Sequence, residues 1–473
     1  MTQLPPATDR FRRRALGLAR ALGAAALLAV APPPAAAAQT APMPFDMAQA
    51  VRAALANSTS VLDAGRRAQM DQRGASAAAA KLGPSLTASA DAARYDQATQ
   101  ISLGPGFAPI TLLQNNAESA TVSVAQPVDV SGALHAAAEQ KRLQAQVDAD
   151  EAGAARNAQI LSAKSAYYDV LRARHLRQVA QAALAADESQ QTLAQERLDA
   201  RVGQKLDLLR ARSDVAEAQA QLTDADSRLQ ITVDRFDDMT GLAPATPVAL
   251  TDAAGAAGAA SDTGADGASR LFTAPAADSA APDMAALIRR ADAQRPEVLA
   301  AQAAVEAAQK GIAIARSGQE PTLSIGVSGS YIPTNAFTEP RRAVGEVDAS
   351  LSVPLYDGGA TRDQVQQARL GVATARSDLD QARRDVALDV EQAALNVQSA
   401  ASRIGSANSA YSAAILARQL AQMRYEAHVG IALEVTDAQA ALVKAESDQV
   451  NAVYDYLLAK AQLESALGSP TEQ

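Results

Sequence analysis

The amino-acid sequence predicts an α+β protein in which one arrangement of long helices and paired strands occurs twice. Two similar segments, RLDARVGQKLDLLRAR from Arg197 and RYEAHVGIALEVTDAQ from Arg424, align without a gap at an offset of 227 residues. Each segment lies between two long alanine-rich stretches of helical character, so each is predicted to be the tip of a helical hairpin. Two pairs of alternating polar and apolar runs, also in matching places, predict two β-hairpins.

Alanine dominates the composition and favours long helices over a bulky globular core. Of the 473 residues, 48% are hydrophobic but only 3% are aromatic, and there is no Trp. Alanine favours helix and lets helices approach closely, although it buries little apolar surface. Larger apolar residues recur every seven positions at Val215, Leu222, Leu229 and Phe236. This spacing is typical of a coiled-coil seam.

Residues 1–38 are predicted to be a cleaved signal peptide. Four arginines between Arg10 and Arg14 precede an apolar run, and small residues then lead to Gln39. This order is typical of an export signal, and a retained signal anchor is the alternative. Cleavage would remove five Arg and one Asp and change the formal net charge from −9 to −13, which disfavours nucleic acid as a partner. The chain has no Cys, so we expect no lipid attached through cysteine and no thiolate metal site.

The first repeat is predicted over residues 39–242. Its elements are, in order, a helix ending near Leu82, a β-hairpin at 85–128, a long helix at 133–200 and a second helix at 205–240. Gly83 and Pro84 end the first helix, and Gly132 separates the hairpin from the long helix. At 1.5 Å per residue, the long helix would extend about 100 Å.

The second repeat is predicted over residues 284–468, after a segment at 243–283 that we interpret as a linker or equatorial insert. Its elements are a helix ending before Pro321, a β-hairpin at 322–355, a long helix at 360–427, a helix at 433–467, and then a tail at 469–473. Pro84 and Pro321 lie 237 residues apart, whereas the two tips lie 227 apart. The difference of ten falls in the hairpin loop, where structural repeats tolerate insertions.

The predicted strands have one apolar face and one face of Ser, Thr, Gly and acidic residues. Lipid-facing strands of membrane barrels show this alternation, and strands of a soluble sandwich would look similar. No segment after the signal approaches the 18 or so apolar residues of a membrane-spanning helix, so contact with a membrane would be made by strands. Four strands cannot enclose a pore, but a symmetric ring of several chains could close a barrel and complete a helical cylinder.

The order of elements, the two tips and the PLYDGG segment at 354–359 resemble the TolC-like outer membrane efflux proteins over nearly all of the chain after residue 38. The resemblance implies an α+β membrane protein and a homotrimer. In that trimer, twelve strands form one β-barrel in the lipid of the outer membrane, and long coiled-coil helices form an α-barrel that extends into the periplasm. It also implies two partners, a periplasmic adaptor protein and, through it, an inner-membrane transporter.

The resemblance also implies roles for residues at the tips. Tyr425 and Asp207 match positions in the network that closes the periplasmic entrance, and Glu434 and Asp437 match an acidic ring that constricts the pore. Threefold repetition of an acidic pair would favour cations. The alternative is that these acids only complement the dipole at a helix start. The residues expected to contact the adaptor are Arg197, Val202, Gly203, Leu206, Arg424, Val429, Gly430 and Leu433.

Three tip positions depart from the family pattern. The family usually has glycine where Arg201 and His428 stand, and Gly430 takes the place of a basic residue of the closing network. We expect Gly430 to give the chain reversal its backbone freedom. His428 is expected to be a solvated tip residue, with a pH switch as the alternative.

These observations predict an outer-membrane exit duct of a tripartite efflux system. The alternatives are the duct of a type I protein secretion system and, in a different class, a periplasmic coiled-coil scaffold. An enzyme is not expected, because the sequence contains no GxSxG, HExxH or phosphate-loop motif and only three scattered His. We expect no cofactor and no metal site, and the transported substrate is left open.

Overall fold

A computed structural model describes residues 43–97, 99–102, 104–106, 110–113, 116–243, 248–251, 283–331, 343–427 and 429–469. The predicted signal peptide, His428, nearly all of the 243–283 segment and most of the tail lie outside the described residues. Within the described residues, no helix combines the length and the hydropathy that are needed to cross a membrane.

The elements of the first repeat follow the order helix, strands, long helix, helix. They are β1 (Met43–Phe45), α1 (Met47–Asn57), α2 (Thr59–Ala80), β2 (Ser85–Arg94), β3 (Thr99–Ile101), β4 (Ile110–Leu113), β5 (Asn116–Val128), α3 (Ala133–Asp199), α4 (Lys205–Thr240) and β6 (Val248–Leu250).

The second repeat follows the same order. Its elements are α5 (Met284–Gln294), α6 (Pro296–Arg316), β7 (Thr322–Tyr331), β8 (Val344–Ser352), α7 (Ala360–Glu426) and α8 (Ala432–Ala466), with one 3₁₀ turn at Ser317–Gln319. The two long helices, α3 and α7, both contain 67 residues. Their equal lengths show that the duplication extends to the length of single elements.

Each repeat divides its first helix in two, where the sequence predicted one continuous helix in the first repeat. The break lies at Ser58, which ends α1 with its backbone N–H and caps α2 with its hydroxyl. The second break lies at Arg295, before Pro296, and a residue before proline is disfavoured in a helix. The loop predicted at 96–118 also contains the short hairpin β3–β4. A break of one residue, as at Ser58, leaves no periodicity signal, so the sequence pattern did not predict it.

The helices pack side by side in rows. Near the sheet the row is α2, α3, α6 and α7, and towards the tips it is α4, α3, α8 and α7. The long helices α3 and α7 therefore run through both rows, while the shorter helices fill one row each. In the described part of the chain, α4 and α7 form the two ends of the row near the tips.

The four longest strands form one antiparallel sheet in the order β2-β5-β7-β8. The pairing of β5 with β7, with Val124 opposite Val327, joins the two repeats. Opposed residues share a face, so one face carries Leu86, Val122, Val327, Val347 and similar residues, and the other is mostly Ser and Thr. Leu86 and Val347 are 73% and 76% exposed in the single chain, so the apolar face lacks a cover within it.

The best-buried part of the helical core surrounds Tyr167 on α3, which is 1% exposed. Its ring packs edge-on against Phe236 of α4 at a centroid distance of 6.2 Å. Its hydroxyl donates to the backbone oxygens of Thr251 and Phe45, which belong to the paired segments around β6 and β1. Tyr167 thereby ties the small β1–β6 sheet to the helical row.

An aspartate caps each long helix where the chain leaves the sheet. Asp357 accepts hydrogen bonds from the backbone N–H groups of Gly359 (3.0 Å) and Thr361 (2.8 Å). A hydrogen bond from the Thr361 side chain, together with these two, lowers the pKa of Asp357 to about 2. Burial would raise the pKa of Asp129, but hydrogen bonds from the side chain and backbone of His135 and from Leu134 outweigh it and lower that pKa. Both carboxylates bind N–H groups that lack partners within the helix.

Replacing Tyr167 with Phe should destabilise the fold by about 1–2 kcal/mol, because the carbonyl of Thr251 loses its buried donor. Tyr167→Ala should cost about 3–5 kcal/mol through the added cavity. Denaturant unfolding followed by circular dichroism measures both changes. Tyr356→Phe is the control, since Tyr356 is 86% exposed. Equal stability of Y167F and the wild type would show that the hydroxyl is not a structural tie.

Asp357→Asn should lower thermal stability at neutral pH, and the difference from wild type should shrink on acidification. The pKa of Asp357 is about 2 in the folded chain, below its ordinary value of 3.8. Its charged cap therefore contributes fully above pH ~4 and is lost as the pH falls towards ~2. Melting temperatures of both proteins between pH 2 and 7 test the sign. A difference that grows as the pH falls would contradict this assignment.

Candidate functional site: the helical tips

The two tips share one backbone hydrogen-bond pattern. In the first tip, the N–H groups of Val202 and Gly203 both donate to the carbonyl oxygen of Arg197, at 3.0 and 2.9 Å. In the second tip, Val429 and Gly430 donate to the carbonyl oxygen of Arg424, both at 3.0 Å. Each long helix therefore ends in the same tight turn, and the turns are related by the offset of 227 residues.

The expectation that Gly430 supplies unusual backbone angles is wrong. Among the described residues, the glycines with positive φ do not include Gly203 or Gly430. Both glycines instead lie where space is short: a Cβ on Gly203 would lie 2.9 Å from the Cβ of Arg197, so that something would have to shift, and one on Gly430 would make a tight contact at 3.1 Å from the Cβ of Arg424. In the first tip the left-handed residue is Arg201, with φ of 61°. Glycine would adopt this angle without strain, whereas arginine adopts it at some cost.

Arg197 connects the first tip to the second hairpin. Its guanidinium carbon lies 4.0 Å from the centre of the Tyr425 ring, and its Nη2 donates to the backbone oxygen of Tyr425 at 3.1 Å. Tyr425 is 5% exposed and packs with Ala421 and Val435. The structure therefore places Tyr425 against Arg197. No hydrogen bond or ion pair joins Tyr425 to Asp207 in the described part of the chain.

The three predicted gating acids differ in their partners. Glu434 lies in the first turn of α8 and forms an ion pair with Arg424 at 3.5 Å. Asp207 occupies the equivalent first turn of α4. Within the described residues, Asp207 and the exposed Asp437 have no ion-pair partner. Asp207 and Glu434 therefore occupy positions where the helix dipole favours an acid, and only Glu434 has its charge partly balanced.

A second contact between the hairpins lies one to three turns beyond the tips. Thr436 of α8 donates its hydroxyl hydrogen to Asp214 of α4 at 3.3 Å. Burial is the main cause that raises the pKa of Asp214, and burial, with the charges of Asp214 and Glu217, raises the pKa of Asp187 on α3. Sequence reasoning missed this acidic group, because Asp187 and Asp214 are far apart in the chain and share no motif. No group of His, Asp or Glu in the described ranges has the arrangement of a metal site.

The expected adaptor-contact residues include four large apolar side chains in equivalent pairs, Val202 with Val429 and Leu206 with Leu433. All four are exposed in the single chain. Exposed apolar side chains gathered at one end of a molecule are typical of a surface that binds another protein. Arg197 and Gly203 of the first tip, and Arg424 and Gly430 of the second, form the turns that present them.

Comparison with known proteins agrees with this architecture. The model of the outer membrane efflux protein family matches residues 50–242 and 287–469. The Vibrio cholerae outer membrane protein TolC is 27% identical over 194 residues, which are 40% of this chain and 44% of that protein. The Brucella suis outer membrane efflux protein BepC is 25% identical over 315 residues, which are 66% of this chain and 63% of that protein. The matches thus span less than two thirds of these relatives.

The fold extends further than the sequence similarity. The solved structure of the outer membrane protein VceC from Vibrio cholerae superposes with a TM-score of 0.73 at 19% identity, over 89% of this chain and 96% of that one. This confirms the predicted fold class of long barrel helices with a four-strand contribution. The family model covers most of the chain in two blocks, one in each repeat, and the chain therefore belongs to the outer membrane efflux protein family.

Proposed function

We propose that the chain forms a homotrimeric exit duct in the outer membrane, which receives substrates from an inner-membrane transporter through a periplasmic adaptor protein. The main observation behind this proposal is that the sheet and the row of helices both have edges that no other element of the described chain covers. The sheet ends at β2 and β8, and the row of helices near the tips ends at α4 and α7. One neighbouring copy on each side would cover a strand edge and a helix edge together.

The exposed side chains on the end helices support this assembly. On α7, large apolar residues are exposed at Leu370, Leu388, Leu395, Leu416 and Leu420. On α4, Leu209 and Ile231 are about half exposed. Monomeric soluble proteins rarely expose so many large apolar residues on one helix, whereas subunit interfaces bury them. Three copies would bring together twelve strands and enclose a space lined by the Ser and Thr face of the sheet.

The tips would then be the docking surface for the adaptor. In a trimer the two tips of each chain make six, and each presents a valine and a leucine around a rigid turn. The acids at 207, 434 and 437 would lie at the same end, where threefold repetition concentrates negative potential. We propose efflux as the transport role, since BepC, a relative that matches 315 residues of this chain, is named an outer membrane efflux protein.

Membrane fractionation tests the proposed function. The full-length protein should sediment with the outer membrane, and after detergent extraction its mass should equal three chains. The physical reason is that the apolar sheet face and the open edges are satisfied only by lipid and by neighbouring copies. A mature protein that is recovered as a soluble periplasmic monomer would contradict the proposal and favour a scaffold.

Replacing Glu434 and Asp437 together with Ala should lower cation selectivity and weaken block by polyvalent cations. Asp437→Ala should account for more of the change, because Asp437 lacks the arginine that partly balances Glu434. Ion selectivity from reversal potentials in planar bilayers is the measurement. Asp448→Ala is the matched control, since Asp448 is an exposed acid of the same helix, paired with Lys444 at 2.7 Å. Unchanged selectivity in the double variant would mean that the acids serve only the helix start.

A further inference from the structure

We propose that Arg197 is the latch of the periplasmic entrance, because its side chain holds the end of the second hairpin against the first tip. The proposal rests on the proposed channel function and names the residue that keeps the channel closed. Opening would require the guanidinium of Arg197 to leave both the ring and the backbone oxygen of Tyr425.

The backbone of Arg197 is anchored in its own tip. Its carbonyl oxygen accepts two hydrogen bonds, from Val202 and Gly203, and the absent side chain of Gly203 lets the turn close onto Arg197. The position of Arg197 is therefore set by the first tip. A group that binds the Arg197 side chain is therefore held at a fixed place relative to the first tip.

The target of the side chain lies in the last turn of α7. Carbonyl groups at the end of a helix lack partners within the helix, and the negative end of the helix dipole attracts a cation. The guanidinium meets both the backbone oxygen and the ring face of Tyr425, so it makes a charge-assisted hydrogen bond and a cation–π contact at once. Since Tyr425 itself is buried with Ala421 and Val435, it is a fixed point of the second hairpin.

The duplication shows that this contact is specific to one tip. The residue equivalent to Tyr425 in the first repeat is Leu198, which offers no ring to a cation. Arg424, equivalent to Arg197, pairs with Glu434 of its own hairpin. The first tip thus holds the second hairpin, and Arg424 holds only its own. The contact between Asp214 and Thr436 joins the same two hairpins and supports the latch.

Planar-bilayer recording of the purified full-length trimer tests the latch. Arg197→Ala should raise the ratio of open to closed time on the order of tenfold, because two contacts of the closed state are lost together. Tyr425→Leu should shift the ratio in the same direction but by less, since it removes the ring and keeps the carbonyl group. The double variant should not exceed Arg197→Ala by much, because that change alone removes both contacts. Tyr425→Phe keeps the ring and the carbonyl group and should behave like wild type.

Arg212→Ala is the matched control, because it removes an exposed arginine whose side chain donates to Gln195 of the same hairpin and leaves the contact between the hairpins intact. Its open-to-closed ratio should stay at the wild-type value. The latch is wrong if R197A and Y425L, both still trimeric by mass, keep the wild-type ratio, or if R212A opens the channel as much as R197A. A wild-type protein that forms no channel at all would contradict the proposed function itself, before any variant is compared.

Discussion

Unpaired backbone groups along β2 and β8 are the constraint on which the rest of the molecule depends. A sheet of four strands has two edges, and each edge presents N–H and C=O groups that need partners. The helical row also has two open sides, because near the tips α4 and α7 each have a neighbouring helix on one side only in the described part of the chain. In a closed ring of copies, each neighbour pairs with an open strand edge and packs against an open helix edge at the same time. The proposed trimer therefore rests on these edges more than on any single residue.

Duplication gives the chain two similar hairpins, but their chemistry is not the same. The backbone turns at Arg197 and Arg424 are alike down to the donors on each carbonyl oxygen. The side chains of those arginines go to different partners, because a single substitution, Leu198 for the equivalent of Tyr425, removes the ring from one tip. Because the two repeats differ at this one position, the first tip contacts the second hairpin through its arginine, whereas the second tip does not make the equivalent contact in the described part of the chain. The proposed latch depends on that asymmetry.

Glycine at the tips illustrates how one residue type can serve two physical purposes. Gly203 and Gly430 leave room for the arginine six residues earlier in the chain, since a Cβ on either glycine would lie within 3.2 Å of that arginine. Arg201 adopts the left-handed conformation instead, at some cost for a residue with a Cβ. The tip therefore contains arginine where the backbone conformation favours glycine, and glycine where little space is left for a Cβ.

The sequence by itself determined the duplication, the types of elements and their order, because hydrophobic periodicity, Gly and Pro breaks and matched offsets are local signals. It also pointed to the tips, because the two copies there align residue by residue. The tertiary structure decided the breaks at Ser58 and Arg295, where a single residue turns the chain. It also decided the partners of Arg197 and Asp214, which lie more than two hundred residues away. Such contacts arise only when the two hairpins meet, and no pattern within either hairpin records them.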